Sequence, residues 1–355
     1  MLFRSLVATN NSNTVVGAVS PTNNEAFINW VTANSSTNTG LPYSHVNDTN
    51  LLNYTFTYDA AQVALSYLAQ NSTTNAQRII DYYISTTNVW RLGGANSAVD
   101  SSSTNGAVKE YKVHAGPNAF LGIAAVQAYN INAEPRNLEL ATRIADFLIS
   151  LQNNNTNDVN YGGLRWGPQG DAANPTDQRI GDKGPQFNTF YCTENNIDAY
   201  ALFNMLYRVT GEAKYREAAD INLRWLKNVA YNRPEHRFNW GYKEQPYKLY
   251  ENELPGIETA TAPDAIFWGI SAIGPKALED FEPGCAEKMM QYAESNFVAT
   301  ITFTKPNAEQ VTVTGFDYTD HASVKKLNRA PMVSAEWTFD AINAYRRLAD
   351  HFAQS

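Results

Sequence analysis

At 355 residues, with 43% hydrophobic and 12% aromatic content, the chain carries ample material for a large core, and no linker-like break divides it. A formal charge of −8 leaves no basic footprint, which excludes nucleic acid as the main partner. Cys192 and Cys285 supply neither a disulfide framework nor metal-ligand spacing, and no apolar run approaches the ~20 residues of a membrane span, so no cofactor, metal or membrane is expected.

Residues 1–21 read as an irregular polar arm and residues 22–355 as one all-α domain. A short amphipathic helix over 23–33 carries Phe27, Trp30 and Val31, and a loop with Tyr43 and His45 follows. Residues 57–68, opened by Thr57-Tyr58-Asp59, form a helix that is apolar almost all round. Its successor, 75–85, keeps only one apolar side. The same alternation returns at 116–126, opened by Gly116-Pro117-Asn118, with its amphipathic partner at 138–151.

After a polar loop over 153–191 comes the strongest helical signal, 193–210, closed by Gly211. Thr193 is expected to cap it, and Glu194 stands in the first turn, where the helix dipole favours a carboxylate. Ile197, Tyr200, Met205 and Val209 recur at helical spacing with Leu202, Phe203 and Leu206 between them, so this helix is buried nearly all round. Residues 213–229 again show one stripe, Tyr215, Ala218, Leu223 and Leu226, among charges. An aromatic loop over 231–261 leads to the apolar helix 262–270, and 279–297 is its outer partner. Alternation over 298–316 around Lys305-Pro306-Asn307 predicts a β-hairpin, and a last helix spans 334–352.

Five inner-type helices thus alternate with amphipathic ones at a period of about 60 residues, the mark of a closed array of helical hairpins. The expected fold is an (α/α)6-type toroid with long loops and a small β-hairpin near the C-terminus. Each inner helix bears an acid or amide in its first turn: Asp59, Asn118, Glu194, Asp264 and Glu336. Capping and dipole effects explain any one of them, but the outer helices show no equally regular placement. Inner helices that all run the same way bring these side chains to one mouth, where crowding in an apolar funnel drives carboxyl pKa values apart, as an acid/base pair requires.

Thr57-Tyr58-Asp59, Gly116-Pro117-Asn118-Ala119, Thr193-Glu194-Asn195-Asn196-Ile197-Asp198-Ala199-Tyr200, Pro263-Asp264-Ala265 with Trp268, and Ser334-Ala335-Glu336-Trp337-Thr338 resemble motifs of the six-hairpin glycosidase superfamily. The resemblance, over residues 42–352, implies an (α/α)6 barrel that cleaves glycosidic bonds of a poly- or oligosaccharide, often by inversion with two carboxylates. The residue after Glu194 is Asn195 rather than a His, which leaves any role borrowed for that position open.

Glu194 is the expected acid, because it lies on the most apolar helix, and Asp59 the expected base. Asp264 and Glu336 are alternative catalytic carboxylates or ligands for sugar hydroxyls. Asp198, one turn after Glu194, is a candidate substrate ligand or a structural hydrogen-bonding residue. Trp166, Trp240, Trp268, Trp337 and Tyr43 are candidate sugar platforms.

Rim cations support a second class, a polysaccharide lyase acting on a uronic-acid polymer: Lys109 and Lys112 before His114, Arg165, Arg179 and Lys183 before Glu194, and Lys325, Lys326 and Arg329 before Glu336. Its base would be Tyr43, His45, His114, His236, Tyr242, Tyr318 or His321, with Arg237 beside them. A third class is a carbohydrate-binding toroid without catalysis. The apolar part of the N-terminus is too short for a signal peptide. Low charge and abundant Asn and Thr suit a secreted or periplasmic monomer whose leader is not in this chain, with the cytoplasm as alternative.

Overall fold

A computed structural model describes residues 21–169, 187–245 and 255–354, so the arm expected over the first twenty residues lies outside the described residues. In chain order the helices are α1 (Pro21–Ala33), α2 (Thr57–Ala69), α3 (Thr73–Ser85), α4 (Ala115–Asn132), α5 (Pro135–Leu151), α6 (Thr193–Thr210), α7 (Ala213–Trp225), α8 (Pro263–Ile273), α9 (Pro275–Leu278), α10 (Cys285–Phe297), α11 (His321–Lys326) and α12 (Ala335–Gln354). Short strands punctuate the loops: β1 (Tyr54–Phe56), β2 (Trp90–Arg91), β3 (Gly94–Ala95), β4 (Ala98–Asp100), β5 (Val108–Glu110), β6 (Phe190–Cys192), β7 (Tyr231–Asn232), β8 (Arg237–Phe238), β9 (Gly241–Lys243) and β10 (Gly256–Glu258). β11 (Val298–Thr304) and β12 (Gln310–Phe316) form the expected hairpin, with Val298 opposite Phe316.

The inner helices pack in succession, α2 on α4, α4 on α6, α6 on α8 and α8 on α12. α3, α5, α7 and α10 cover them from outside, each against the inner helix that precedes it. The reason is in the sequence: Phe120, Leu121, Ile123 and Val126 of α4 and Ile197, Leu202, Phe203 and Leu206 of α6 are all buried, so both helices need apolar neighbours on every side. The amphipathic partners bury one stripe, such as Tyr215, Ala218 and Ala219 of α7. This is the expected α/α toroid, with five inner helices among the described residues. On α12, Phe339, Ile342, Tyr345 and Phe352 remain exposed.

Two details differ from the sequence reading. The outer helix expected over 279–297 starts only at Cys285, because Pro283-Gly284 interrupt it and Gly284 turns with φ 66°. The loops also contain two three-stranded sheets, β1-β4-β5 and β10-β9-β6, whose strands of three residues are too short to show a period-two pattern.

The fourth residue of three inner helices ties down the loop that precedes it. Asn118 of α4 accepts from Ala95 N at 2.7 Å and donates to Ala95 O at 3.1 Å and His114 O at 2.8 Å. Asn196 of α6 makes the same set with Leu164 N, Leu164 O and Cys192 O at 2.7, 3.1 and 2.8 Å. Thr338 of α12 accepts from Phe316 N at 2.9 Å. A buried amide that matches one residue's N–H and C=O leaves neither backbone group unpaired, so the long loops are fixed where they meet the ring.

Candidate active site at the mouth of the ring

Adjacent loop residues join the openings of α2 and α4: Thr57 Oγ1 donates to Asn96 O at 2.6 Å, next to the Ala95 held by Asn118. α4 and α6 approach so closely at Gly116 that a Cβ there would stand 2.4 Å from Asn195 Nδ2 and 3.1 Å from Asp198 Oδ2. α6 and α8 are linked by Trp268 Nε1 donating to Asp198 Oδ1 at 2.7 Å. Four inner helices therefore open side by side. An aromatic row links three of them, with Tyr58 of α2 edge-on to Phe120 of α4 at 4.8 Å and Phe120 stacked on Trp268 of α8 at 5.8 Å.

Carboxylates gather at this end. The buried Cys192 thiol is pushed above its usual range by burial first and then by the charge of Glu194, with Asp264 and Asp198 adding to it. Glu194 is half-buried, Asp264 is 8% exposed and Asp198 is fully buried. Asp59, half-buried at the start of α2, has its carboxyl raised by burial, against the opposing pull of a Ser44 hydrogen bond and the His45 charge.

Aromatic side chains wall the opening. Trp166 O accepts from Ala115 N at 2.8 Å and Trp240 O from Thr193 N at 2.9 Å, which puts one tryptophan at the start of α4 and the other beside Glu194. Trp166 stacks on His114 at 4.9 Å and meets Phe190 at 5.4 Å, and Phe190 meets Trp240 at 5.1 Å. Burial pulls the His114 imidazole down to about 3, with Lys112 adding to the effect, so the ring is neutral at pH 7. Its Nε2 has no hydrogen-bond partner among the described residues.

The other expected site residues fall elsewhere. Trp268 is fully buried and cannot serve as a sugar platform. Asn118, also fully buried, is the loop clamp described above, and its hydrogen bonds leave it no access to substrate. Thr193 does not cap α6 with its side chain; its hydroxyl donates to Asn239 O at 2.7 Å, the same arrangement as Thr57 on α2. Arg329 is bound to Asp317 and Thr319 and lies against the Tyr318 ring. Glu336 is exposed and lacks the desolvation an acid role calls for. Trp337 is half-buried against Tyr318 at 5.6 Å. Tyr43 and His45 are half-buried, and His45 sits edge-on to Phe56 at 5.9 Å.

Sequence reasoning missed Asp340, 2% exposed on α12. The available signal was spacing: Asp340 follows Glu336 by four residues, as Asp198 follows Glu194. It also missed Asn196 and Ser44; Asn196 occupies on α6 the place that Asn118 occupies on α4.

Several of the cations expected at the rim are engaged. Lys109 pairs with Asp100 at 3.0 Å, Lys112 with Glu110 at 2.7 Å and Arg165 with Glu244 at 3.2 Å. Arg237 pairs with Glu235 at 2.5 Å, His236 with Glu282 at 2.6 Å, and His321 Nε2 contacts Val298 O at 2.9 Å. Lys325 and Lys326 are exposed on α11. Arg179 and Lys183 lie outside the described residues.

Solved structures share this architecture. A family 76 α-mannanase from Bacteroides thetaiotaomicron matches with a TM-score of 0.60 at 11% identity, over 98% of this chain and 81% of that one. A cellobiose 2-epimerase from Bacillus thermoamylovorans matches with a TM-score of 0.56 at 11% identity, over 93% and 86% of the two chains. The chain has the fold of the six-hairpin glycosidases. An inactive variant of an α-1,6-mannanase from Salegentibacter sp., with two adjacent aspartates replaced and α-1,6-mannotetrose bound, also matches, at TM-score 0.51 and 13% identity, over 76% and 68% of the two chains. No family model matches the sequence, and a search of curated proteins finds no match. No described helix is long and apolar enough to cross a membrane.

Proposed function

We propose that the protein is a glycoside hydrolase, a secreted or periplasmic monomer that cleaves an oligo- or polysaccharide at the mouth of the toroid. The observation that carries this reading is the side-by-side opening of α2, α4, α6 and α8, with Asp59, Glu194 and Asp264 in first turns beside Trp166 and Trp240. The expected roles of Glu194 and Asp59 exchange. A general acid must hold its proton, and burial raises the Asp59 carboxyl, so Asp59 takes the acid role and leaves the base to Glu194. Asp59 protonates the glycosidic oxygen as the bond to the anomeric carbon breaks. Glu194 takes a proton from the attacking water. Asp264 holds a sugar hydroxyl, and the tryptophans stack on ring faces.

The mannanase neighbours make α-1,6-mannan the first substrate to test. This sequence has no two adjacent aspartates like those replaced in the inactive mannanase, and the acid and base assigned here stand on two different helices. The ion pairs of Lys109, Lys112, Arg165 and Arg329 argue against the lyase, since each cation already has its carboxylate. A second reading, sugar epimerisation, is raised by the cellobiose 2-epimerase that shares this architecture.

The test is a panel of α-mannan, neutral glucans and uronic-acid polymers, followed for reducing ends, ultraviolet absorbance of unsaturated uronate, and isomerised sugar. New reducing ends alone, falling about 10²–10⁴-fold in Glu194→Gln, are expected. Turnover unchanged in that variant, absorbance rising with the reducing ends, or isomerised sugar as the only product would each refute the reading. A carbohydrate-binding protein would hold sugar without any turnover.

A further inference from the structure

A cavity of ≈ 440 Å³ opens at the end of the outer helix α7, between the helical turn Leu226–Ala230 and the β7–β8 hairpin. Its size suits a small metabolite. Lys227 and Arg233 stand on its border, and neither is paired with a carboxylate among the described residues, in contrast to the rim cations above. The carboxylate of Glu235, next along the hairpin, is already taken by Arg237 at 2.5 Å and by the Asn232 amide at 2.9 Å. Between the two cations the lining is mixed. Asn228 and Thr259 offer polar groups, while Ile257, 51% exposed, is apolar. Tyr231 directs its hydroxyl away, donating to Glu282 Oε1 at 2.5 Å.

Two cations without counter-charges suit a dianion better than a single carboxylate, and at pH 7 a phosphate monoester carries about −1.5 to −2. Apolar surface beside amide and hydroxyl groups suits the carbon face and hydroxyls of a sugar. We infer that this cavity binds a sugar phosphate, its phosphate monoester between Lys227 and Arg233. The wall of the cavity is also a support of the mouth. Asn239 N donates to Ala230 O at 2.9 Å, Asn239 O accepts from Thr193 Oγ1 at 2.7 Å, and Trp240 follows in the chain.

The inference does not depend on the hydrolase reading, because its test reads binding without turnover. The full chain is titrated calorimetrically with mannose 6-phosphate, mannose and inorganic phosphate at low salt. The sugar phosphate is expected to bind at least about 10-fold tighter than either fragment, and Lys227→Ala with Arg233→Ala to weaken it by about 10-fold or more. Both side chains are solvent-accessible, so the double variant should keep the melting temperature of the parent, which is measured alongside. Glu194→Gln should keep the affinity. Failure of the parent to bind, affinity unchanged in the double variant, phosphate alone binding as tightly, or affinity lost in Glu194→Gln would each overturn the inference.

Discussion

Asn196→Ala tests how the loops are held to the ring. The buried amide accepts from Leu164 N at 2.7 Å and from Asn222 Nδ2 at 2.7 Å, and donates to Leu164 O at 3.1 Å. Its bond to Cys192 O, at 2.8 Å, is the least costly to lose, since that carbonyl is within reach of the helix's own N–H groups. Truncation leaves the N–H and C=O of Leu164, itself 1% exposed, without partners, and Asn222, fully buried, loses the nearer of its two acceptors and keeps only Gly162 O at 3.3 Å. At about 1 kcal/mol for each of three net hydrogen bonds, with part of a further desolvation cost for the orphaned groups, the loss comes to about 3–4 kcal/mol. For a chain of this size that lowers the melting temperature by about 4–5 °C, measured by circular dichroism. Leu164 precedes Arg165 and Trp166, so kcat/KM on the substrate should fall as well at 25 °C, where the variant is still folded. Asn196→Asp, which keeps the accepting oxygens and loses the donor, should lie between. A drop of less than about 2 °C, with unchanged kcat/KM, would sink the clamp argument.

Gly116→Ala drives a Cβ to 2.4 Å from Asn195 Nδ2 and should cost about 1–3 kcal/mol of stability by chemical denaturation while lowering activity. For Glu282, burial works upward, but hydrogen bonds from Lys288, Tyr231 and His236 outweigh it and bring the carboxyl from 4.5 to about 2. A depressed folded pKa stabilises above the unfolded value, so the stability gap between the parent and Glu282→Gln should be full above pH 4.5 and vanish as pH falls toward 2. Asp59 carries the opposite sign: its folded pKa is raised, and its ionised form is penalised. Asp59→Asn should therefore gain stability relative to the parent as pH rises above 3.8 while losing turnover, and denaturant melts across pH check both.

Much of the ring was legible before any tertiary contact was considered. α4 and α6 are apolar on every face, and a helix of that kind declares its burial whatever its neighbours are; the one-striped α5 and α7 declare theirs on one side. The β11–β12 hairpin was readable because seven residues are enough to show alternation. β1, β4, β6 and β9, at three residues each, are not, and their pairing depends on loops that the ring brings together.

The site divides in the same way. Sequence alone determined which acids open which helices, because capping preference and helical spacing are local properties: Asp59, Glu194 and Asp264 stand in the first turns assigned to them. Only the tertiary structure decided what surrounds each one. Trp268 and Asn118 have the composition of a sugar site, yet the packing of α4, α6 and α8 and a loop reaching back to Ala95 enclose them. Glu336 and Asp340 lie one helical turn apart, and the packing of α12 alone exposes the first and buries the second. Desolvation and hydrogen bonding arise from atoms distant in sequence, and these two terms turn a carboxylate at a helix start into an acid, a base or a strut.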